Sequence, residues 1–278
     1  MKKHIIATAL TALITSTASA SVITLDTTSF GGSNSFDFDL MQLVNESGSN
    51  SATVTQTDLS GEGTLAGVDG FMEIGGTNIA TFNLDGTPVA AGSVSGFFNP
   101  GYNIIFDYQV GGTAQLDVTG DLQVDFDNLV EAKLWVEWDF TGVGGAATQS
   151  QDLAVMSLVS GNCDIDSSIN ASTGNVSVDS ASACSLSLTA LFEDGYFTDA
   201  QGNDLGQYDE NGQTLHVDYH ATVSAINGLN FNYPVAGGTQ TFNVEHTSDM
   251  SINVPEPTSV AILGLGLLGL AGARRRKS

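Results

Sequence analysis

The sequence predicts an all-β body, an antiparallel β-sandwich or jelly-roll-like domain, set between two short hydrophobic end segments. Three observations carry that prediction. Apolar and polar residues alternate at period two in run after run, the pattern of strands with one buried face. Turn-forming dipeptides separate the runs, in a chain of 278 residues with 32 glycines and five prolines. No stretch of ten or more residues makes a convincing amphipathic helix.

The chain opens with Lys2 and Lys3, an apolar stretch from Ile5 to Ile14, and the small-residue site Ala18-Ser19-Ala20. This is the layout of a signal peptide over residues 1–20, cut by signal peptidase before Ser21. Its apolar stretch is about half the roughly 20 residues that a membrane-spanning helix needs.

The exported body, 21–253, follows. Phe36, Phe38 and Leu40 alternate with Asp37 and Asp39. Ile104, Phe106, Tyr108 and Val110 share one strand face, and Leu122, Val124 and Phe126 point away from Asp121, Gln123, Asp125 and Asp127. Further buried rows run through Leu134, Val136, Trp138 and Phe140, then Leu186, Leu188, Ala190 and Phe192, then Leu215, Val217, Tyr219, Ala221 and Val223. Residues 147–160 settle on neither period, because Leu153, Val155, Met156, Leu158 and Val159 fit no single face. Asp85-Gly86, Gly111-Gly112, Thr141-Gly142, Asp194-Gly195, Asn211-Gly212, Asn227-Gly228 and Gly237-Gly238 read as turns. Roughly ten to fourteen strands around one core are expected. A last strand runs past Val244 through Thr247-Ser248-Asp249 to a spacer before Val254.

Cys163 and Cys184 are the two cysteines, and in an exported chain such a pair is expected to form a disulfide rather than a metal site or a reactive dithiol. The enclosed segment, Asp164 to Ala183, is rich in Ser, Asn and Asp, so the bridge pins a long loop or loose hairpin.

The C-terminal tail, 254–278, has three parts. Val254-Pro255-Glu256-Pro257 precedes an uncharged stretch from Thr258 to Ala273, which precedes Arg274-Arg275-Arg276-Lys277. As a helix, 258–273 reaches about 24 Å, a marginal transmembrane span against a hydrocarbon core of about 30 Å. The basic cluster 274–277 stays cytoplasmic, which leaves the body outside the inner membrane.

Once both ends are set aside, Lys133 is the sole basic residue left, against 30 acids, a formal charge of −29 over 21–254. Such a surface repels nucleic acid and anionic lipid and keeps a secreted protein soluble.

The body has no Gly-x-Ser-x-Gly elbow and no His-Glu-x-x-His. His216, Asp218 and His220 fall on one side of a strand, where they would suit zinc or copper. The plainer alternative is the polar face of a strand buried on its other side. Oxygen-rich segments (Asp164 and Asp166; Asp199, Asn203, Asp204, Asp209, Glu210 and Asn211) admit calcium or serve as ordinary acidic hairpin tips. Trp135 points opposite to Trp138, beside Lys133 and Glu137. It is either a carbohydrate contact or a residue covered by a second sheet.

The tail Val254-Pro255-Glu256-Pro257, hydrophobic helix and arginine cluster resembles the PEP-CTERM sorting signal. The resemblance implies recognition of Pro255, Glu256, Pro257 and Arg274 to Arg276 by a membrane-embedded exosortase, with processing near the Pro-Glu-Pro motif. It implies an inner-membrane-anchored precursor delivered to the envelope surface or extracellular matrix of a Gram-negative, polysaccharide-making bacterium. It carries an address and is silent on the body. The expectation for the body is a non-enzymatic surface or matrix component associated with extracellular polysaccharide. The alternatives are a carbohydrate-binding module, with or without calcium, and a glycan-acting hydrolase whose acid pair leaves no sequence signature.

Overall fold

The strands run from two residues past Ser21 to one residue short of Val254. A computed structural model describes residues 21–30, 35–43, 52–89, 101–117, 119–140 and 146–254. The signal peptide 1–20 and the tail from Pro255 onward lie outside the described residues. Fifteen strands are present among those described. The early ones are β1 (Ile23–Asp26), β2 (Ser35–Phe38), β3 (Leu40–Leu43), β4 (Ala52–Thr57), β5 (Asp69–Leu84) and β6 (Thr87–Pro88). Then come β7 (Tyr102–Leu116), β8 (Leu122–Phe140), β9 (Ala147–Ile165), β10 (Ser167–Ile169), β11 (Val176–Val178) and β12 (Ser182–Phe192). The last are β13 (Phe197–Asp199), β14 (Leu215–Asn227) and β15 (Thr239–Asn253), with a four-residue helix α1 (Gln207–Glu210) between them.

The predicted rows are buried as expected: Ile104, Phe106, Tyr108 and Val110 on β7, and Leu215 through Val223 on β14, all turn inward. The arrangement differs from a sandwich or jelly roll. β5, β7, β8, β9, β12, β14 and β15 each pair antiparallel with the next, and β15 pairs with both β3 and β4, which pair in turn with β5. Counting β3 and β4 as one interrupted stave, the sheet closes into an eight-stave up-and-down barrel. Alternation cannot separate the two architectures, because a barrel wall and a sandwich sheet both have one apolar and one polar face.

Strand length is what favours closure. β8 and β9 run for 19 residues each, far beyond an ordinary strand, and a twisted sheet of that length coils. Bulges supply the bends: β9 has an extra residue at Leu153 against β8 and at Val159 against β12. Gly111-Gly112, expected as a turn, lies inside β7, with one register shift just before it at Gln109/Val110 and a second between the two glycines. A Cβ on Gly112 would overlap the Asp125 carbonyl of β8, so the glycine pair permits a close backbone approach in a bent wall. Asp85-Gly86 does turn, with positive φ at both residues (52° and 73°) between β5 and β6.

Both barrel ends are covered. At one end a three-stranded sheet, β13-β1-β2, lays Phe38 against Phe82 (4.9 Å between centroids) and Phe197 against Phe192 (5.2 Å). At the other, the segments 58–68 and 228–238 and the β10–β11 hairpin interlock through Leu65 N to Phe231 O (3.0 Å) and Val176 N to Leu229 O (3.0 Å). The outward face carries Asp125, Asp127, Glu131 and Glu137 on β8 and Thr241, Asn243 and Glu245 on β15. Apolar inside and acidic outside is the arrangement of a barrel in water; a barrel in lipid reverses it, with an apolar outer band. No helix among the described residues is long and apolar enough to cross a membrane.

Candidate functional site

Inside the barrel the apolar rows are interrupted by polar side chains from three staves. Glu73 extends inward from β5 two residues after Phe71, Tyr108 from β7 two after Phe106, and His246 from β15 two after Val244. Gly75 pairs directly with Tyr108, and any Cβ there would overlap the phenol ring. The missing side chain lets the ring lie across β5, so that its hydroxyl reaches Glu73.

Tyr108 Oη donates to Glu73 Oε1 at 2.7 Å, and His246 Nε2 lies 2.9 Å from the same hydroxyl. With the phenol proton committed to the carboxylate, the hydroxyl accepts from His246, which assigns the proton of a neutral ring to Nε2. His246 Nε2 is 3.8 Å from Glu73 Oε1. Desolvation pushes the Glu73 carboxyl above its ordinary range, opposed by the Tyr108 hydrogen bond, and burial pushes the His246 imidazole below its own. Burial also carries Tyr108 well above the usual phenol value, with the Glu73 charge adding to it. The cluster therefore favours its neutral forms. It is a buried hydrogen-bonded chain with a single carboxylate.

These residues were legible only as members of rows. Tyr108 and Tyr219 count as apolar in an alternating run, yet each carries a polar tip; the row Phe242, Val244, His246, Ser248, Met250, Ile252 shows its histidine by period alone.

The residues singled out from sequence are spread over the molecule. Cys163 and Cys184 form the disulfide, joining directly paired positions of β9 and β12 with Cα atoms 4.2 Å apart. The segment they enclose is the β10–β11 hairpin. His216, Asp218 and His220 share the outer face of β14, the polar side of a strand whose other side is buried. Asp218 accepts from Asn253 Nδ2 at 2.7 Å, and no group of three or more His, Cys, Asp or Glu gathers for a metal among the described residues. Trp135 is outward as expected, half-buried with no second sheet over it among the described residues. Its Nε1 donates to Asp107 Oδ2 (2.7 Å) and Lys133 Nζ lies 5.9 Å from its ring.

The oxygen-rich segments hold acids whose oxygens accept from nearby backbone and side-chain donors of the fold. Asp199 accepts from Gln201 N, Asn203 N, Asn203 Nδ2 and Tyr208 Oη at 2.6 to 2.8 Å. Burial raises its pKa, but these hydrogen bonds outweigh that and hold it low. Asp204 receives Gly195 N and Gly206 N, Asp164 receives Gln123 Nε2, and Asp166 receives Ser180 Oγ.

Val254 follows β15 without a break and meets the start of the described chain: its N donates to Ser21 Oγ at 3.1 Å. Both described termini thus leave the barrel together, at the end covered by β13-β1-β2. Residues 253–277 match the family model for the PEP-CTERM protein-sorting motif. The chain carries a PEP-CTERM sorting motif. This motif marks an exported protein with a C-terminal membrane-anchoring signal, processed by exosortase. No curated protein and no solved structure matches the chain.

Proposed function

We propose that this protein is a non-enzymatic component of the cell surface or extracellular polysaccharide matrix of a Gram-negative bacterium. In this reading, a preformed acidic barrel is delivered through its PEP-CTERM tail. The observation that carries the proposal is the join at Val254: the sorting motif continues from the last stave, with Ser21 hydrogen-bonded beside it. A membrane-held precursor would hang by one barrel end, and cuts before Ser21 and near Pro257 would release the barrel body. Among the described residues the lumen cavity is lined by one carboxylate, Glu73, where the two-carboxylate route of glycoside hydrolysis needs a pair.

The test is an intact mass, with terminal peptide mapping, of the protein from membrane and extracellular fractions of its host. The expected product begins at Ser21, ends near Pro257 and lies outside the cell. Protein found only in the membrane and retaining Arg274 to Ser278 would sink the matrix assignment. A carbohydrate-binding role is the second reading, favoured by Trp135 on the outer wall. It requires glycan-array signal that Trp135→Ala abolishes, measured with and without calcium.

A further inference from the structure

On the outer wall, four successive staves, β8, β9, β12 and β14, border one open groove of about 550 Å³. The outside of a closed barrel is ordinarily convex, so a hollow there needs a local cause. Three irregularities meet at this place. The β8–β9 ladder stops at Phe126 and Gly161 and resumes only at Lys133 and Val155. The extra residue Val159 bends β9 against β12 beside it. A Cβ on Gly161 would overlap the Leu186 side chain, so the bare glycine lets β9 lie close on β12, and these two residues line the groove.

Register sets the polar groups of the groove in two rows. Asp125, Asn162, Ser185 and His220 are directly paired across the four staves, and Ser160, Ser187 and Asp218 pair two residues along. Ser185 Oγ donates to Asn162 Oδ1 at 3.2 Å, which leaves the Asn162 amide hydrogens to be donated. Asn253 Nδ2 donates to Asp218 Oδ2 at 2.7 Å, which leaves Oδ1 to accept. The Asp125 carboxylate, the Ser160 and Ser187 hydroxyls and the His220 imidazole make no side-chain hydrogen bond among the described residues.

We propose that this groove binds a neutral oligosaccharide through its hydroxyl groups. The assignment rests on the reading of the protein as a matrix component and names the class of polysaccharide it holds. Size sets the first limit. Four staves at a spacing of about 4.8 Å make a row about 14 Å long, and the volume falls within the roughly 300–1,000 Å³ of ordinary ligand sites. A short run of sugar rings fills it; a single ion does not. Polarity sets the second limit. Donors at Asn162 and acceptors at Asp125 and Asp218 alternate with serine hydroxyls that do both, and a sugar hydroxyl likewise donates and accepts. No aromatic ring lines the groove, so hydrogen bonds carry the recognition. Charge sets the third, because two carboxylates and no lysine or arginine line it, on a body of formal charge −29. Uronate, sulfate and phosphate groups are repelled. Asp125 and Asp218 stand about 14 Å apart along the wall at the usual strand spacing, beyond the roughly 5 to 10 Å of a hydrolytic acid pair. They are placed to hold a chain, not to cleave it by that route.

The test is titration of the mature protein with cellohexaose, mannohexaose and galactohexaose, and with hexagalacturonate, read by backbone amide shifts. Salt at about 0.15 M screens the general field of the body. Saturable changes centred on Asn162, Ser185 and His220 are expected with at least one neutral hexasaccharide, and none with hexagalacturonate. Asp125→Ala and His220→Ala are each expected to weaken binding about twofold to tenfold, the worth of one hydrogen bond. Ser185→Trp fills the groove and is expected to abolish binding, with an unchanged melting temperature showing the barrel intact. Should that variant unfold, the two exposed alanine variants decide the matter. Trp135→Ala is expected to change nothing. Absence of saturation by all three neutral sugars overturns the proposal. So does equal binding of hexagalacturonate, binding that survives both alanine substitutions undiminished, or binding that is lost in Trp135→Ala. Protein recovered from the matrix that binds none of the neutral sugars sinks the groove alone, whereas protein that binds them but stays in the membrane with its tail sinks the matrix reading alone.

Discussion

At the scale of single residues, several acidic side chains in this protein organise turns. Asp58 is the clearest case: its carboxylate accepts from Ser60 Oγ, Gly61 N, Gly63 N and Gly237 N at 2.7 to 2.8 Å, tying together two of the segments that cover one barrel end. Led by the Gly237 amide, these donors outweigh partial burial and hold its pKa at about 2. Because the folded pKa lies below the unfolded one, the unfolded chain binds more protons between them. The contribution is therefore complete above about pH 4 and disappears as pH falls through about 2. Asp58→Asn is expected to lower the melting temperature at neutral pH and to make the loss of stability between about pH 4 and pH 2 shallower, as followed by thermal melts across that range. A slope identical to that of the unmodified protein would show that the carboxylate charge contributes nothing to this cover. None of this was readable beforehand, since Asp58-Leu59-Ser60-Gly61 looks like any polar turn until Gly237 is brought beside it.

At the scale of elements, the sequence showed strands wherever alternation was unbroken and lost them where a bulge reset it. β9 is instructive: Leu153 and Ala154 are both buried, then Met156, then Cys163 and Ile165, because bulges at Leu153 and Val159 each shift the inward face by one residue. A period-two search over 147–160 fails for that reason although the strand is continuous. The glycine pair in β7 misled in the opposite sense, since closeness of two backbones and a reversal of the chain favour the same residue. The cysteine pair needed only composition and compartment, and it sits where β9 and β12 are in register. Its bridge spans 21 residues of sequence, so reduction or a Cys163→Ser, Cys184→Ser double substitution is expected to cost roughly 3 kcal/mol. Denaturant titration with and without reductant measures this. The double-substituted protein should be indifferent to reductant, and a midpoint unchanged in both proteins would mean that the pairing of β9 with β12 already constrains the unfolded chain.

At the scale of the whole molecule, composition announced an exported acidic β protein, and neither composition nor alternation could announce that the sheet closes on itself. Closure depends on β15 meeting both β3 and β4, pairings that join residues about two hundred positions apart and leave no local trace. The closed wall also decides where the charge goes, since inward positions are taken by the core and nearly all 30 acids of the body are left on the outside or in the end covers, with Lys133 as the lone basic residue. Its contact with Glu131, at 3.6 Å, is exposed and contributes little. A barrel of this kind has much self-repulsion to relieve and almost no surface attraction to lose. Raising ionic strength from about 0.01 M to 0.15 M shortens the screening length from about 30 Å to about 8 Å, less than the width of the barrel. Thermal melts of the mature protein at neutral pH are therefore expected to rise by about 3 to 6 °C over that interval, in sodium chloride and potassium chloride alike. A melting temperature that falls with added salt would show that attraction between opposite charges outweighs repulsion. That result would contradict the placement of the acids on an outer wall where Lys133 is the lone lysine.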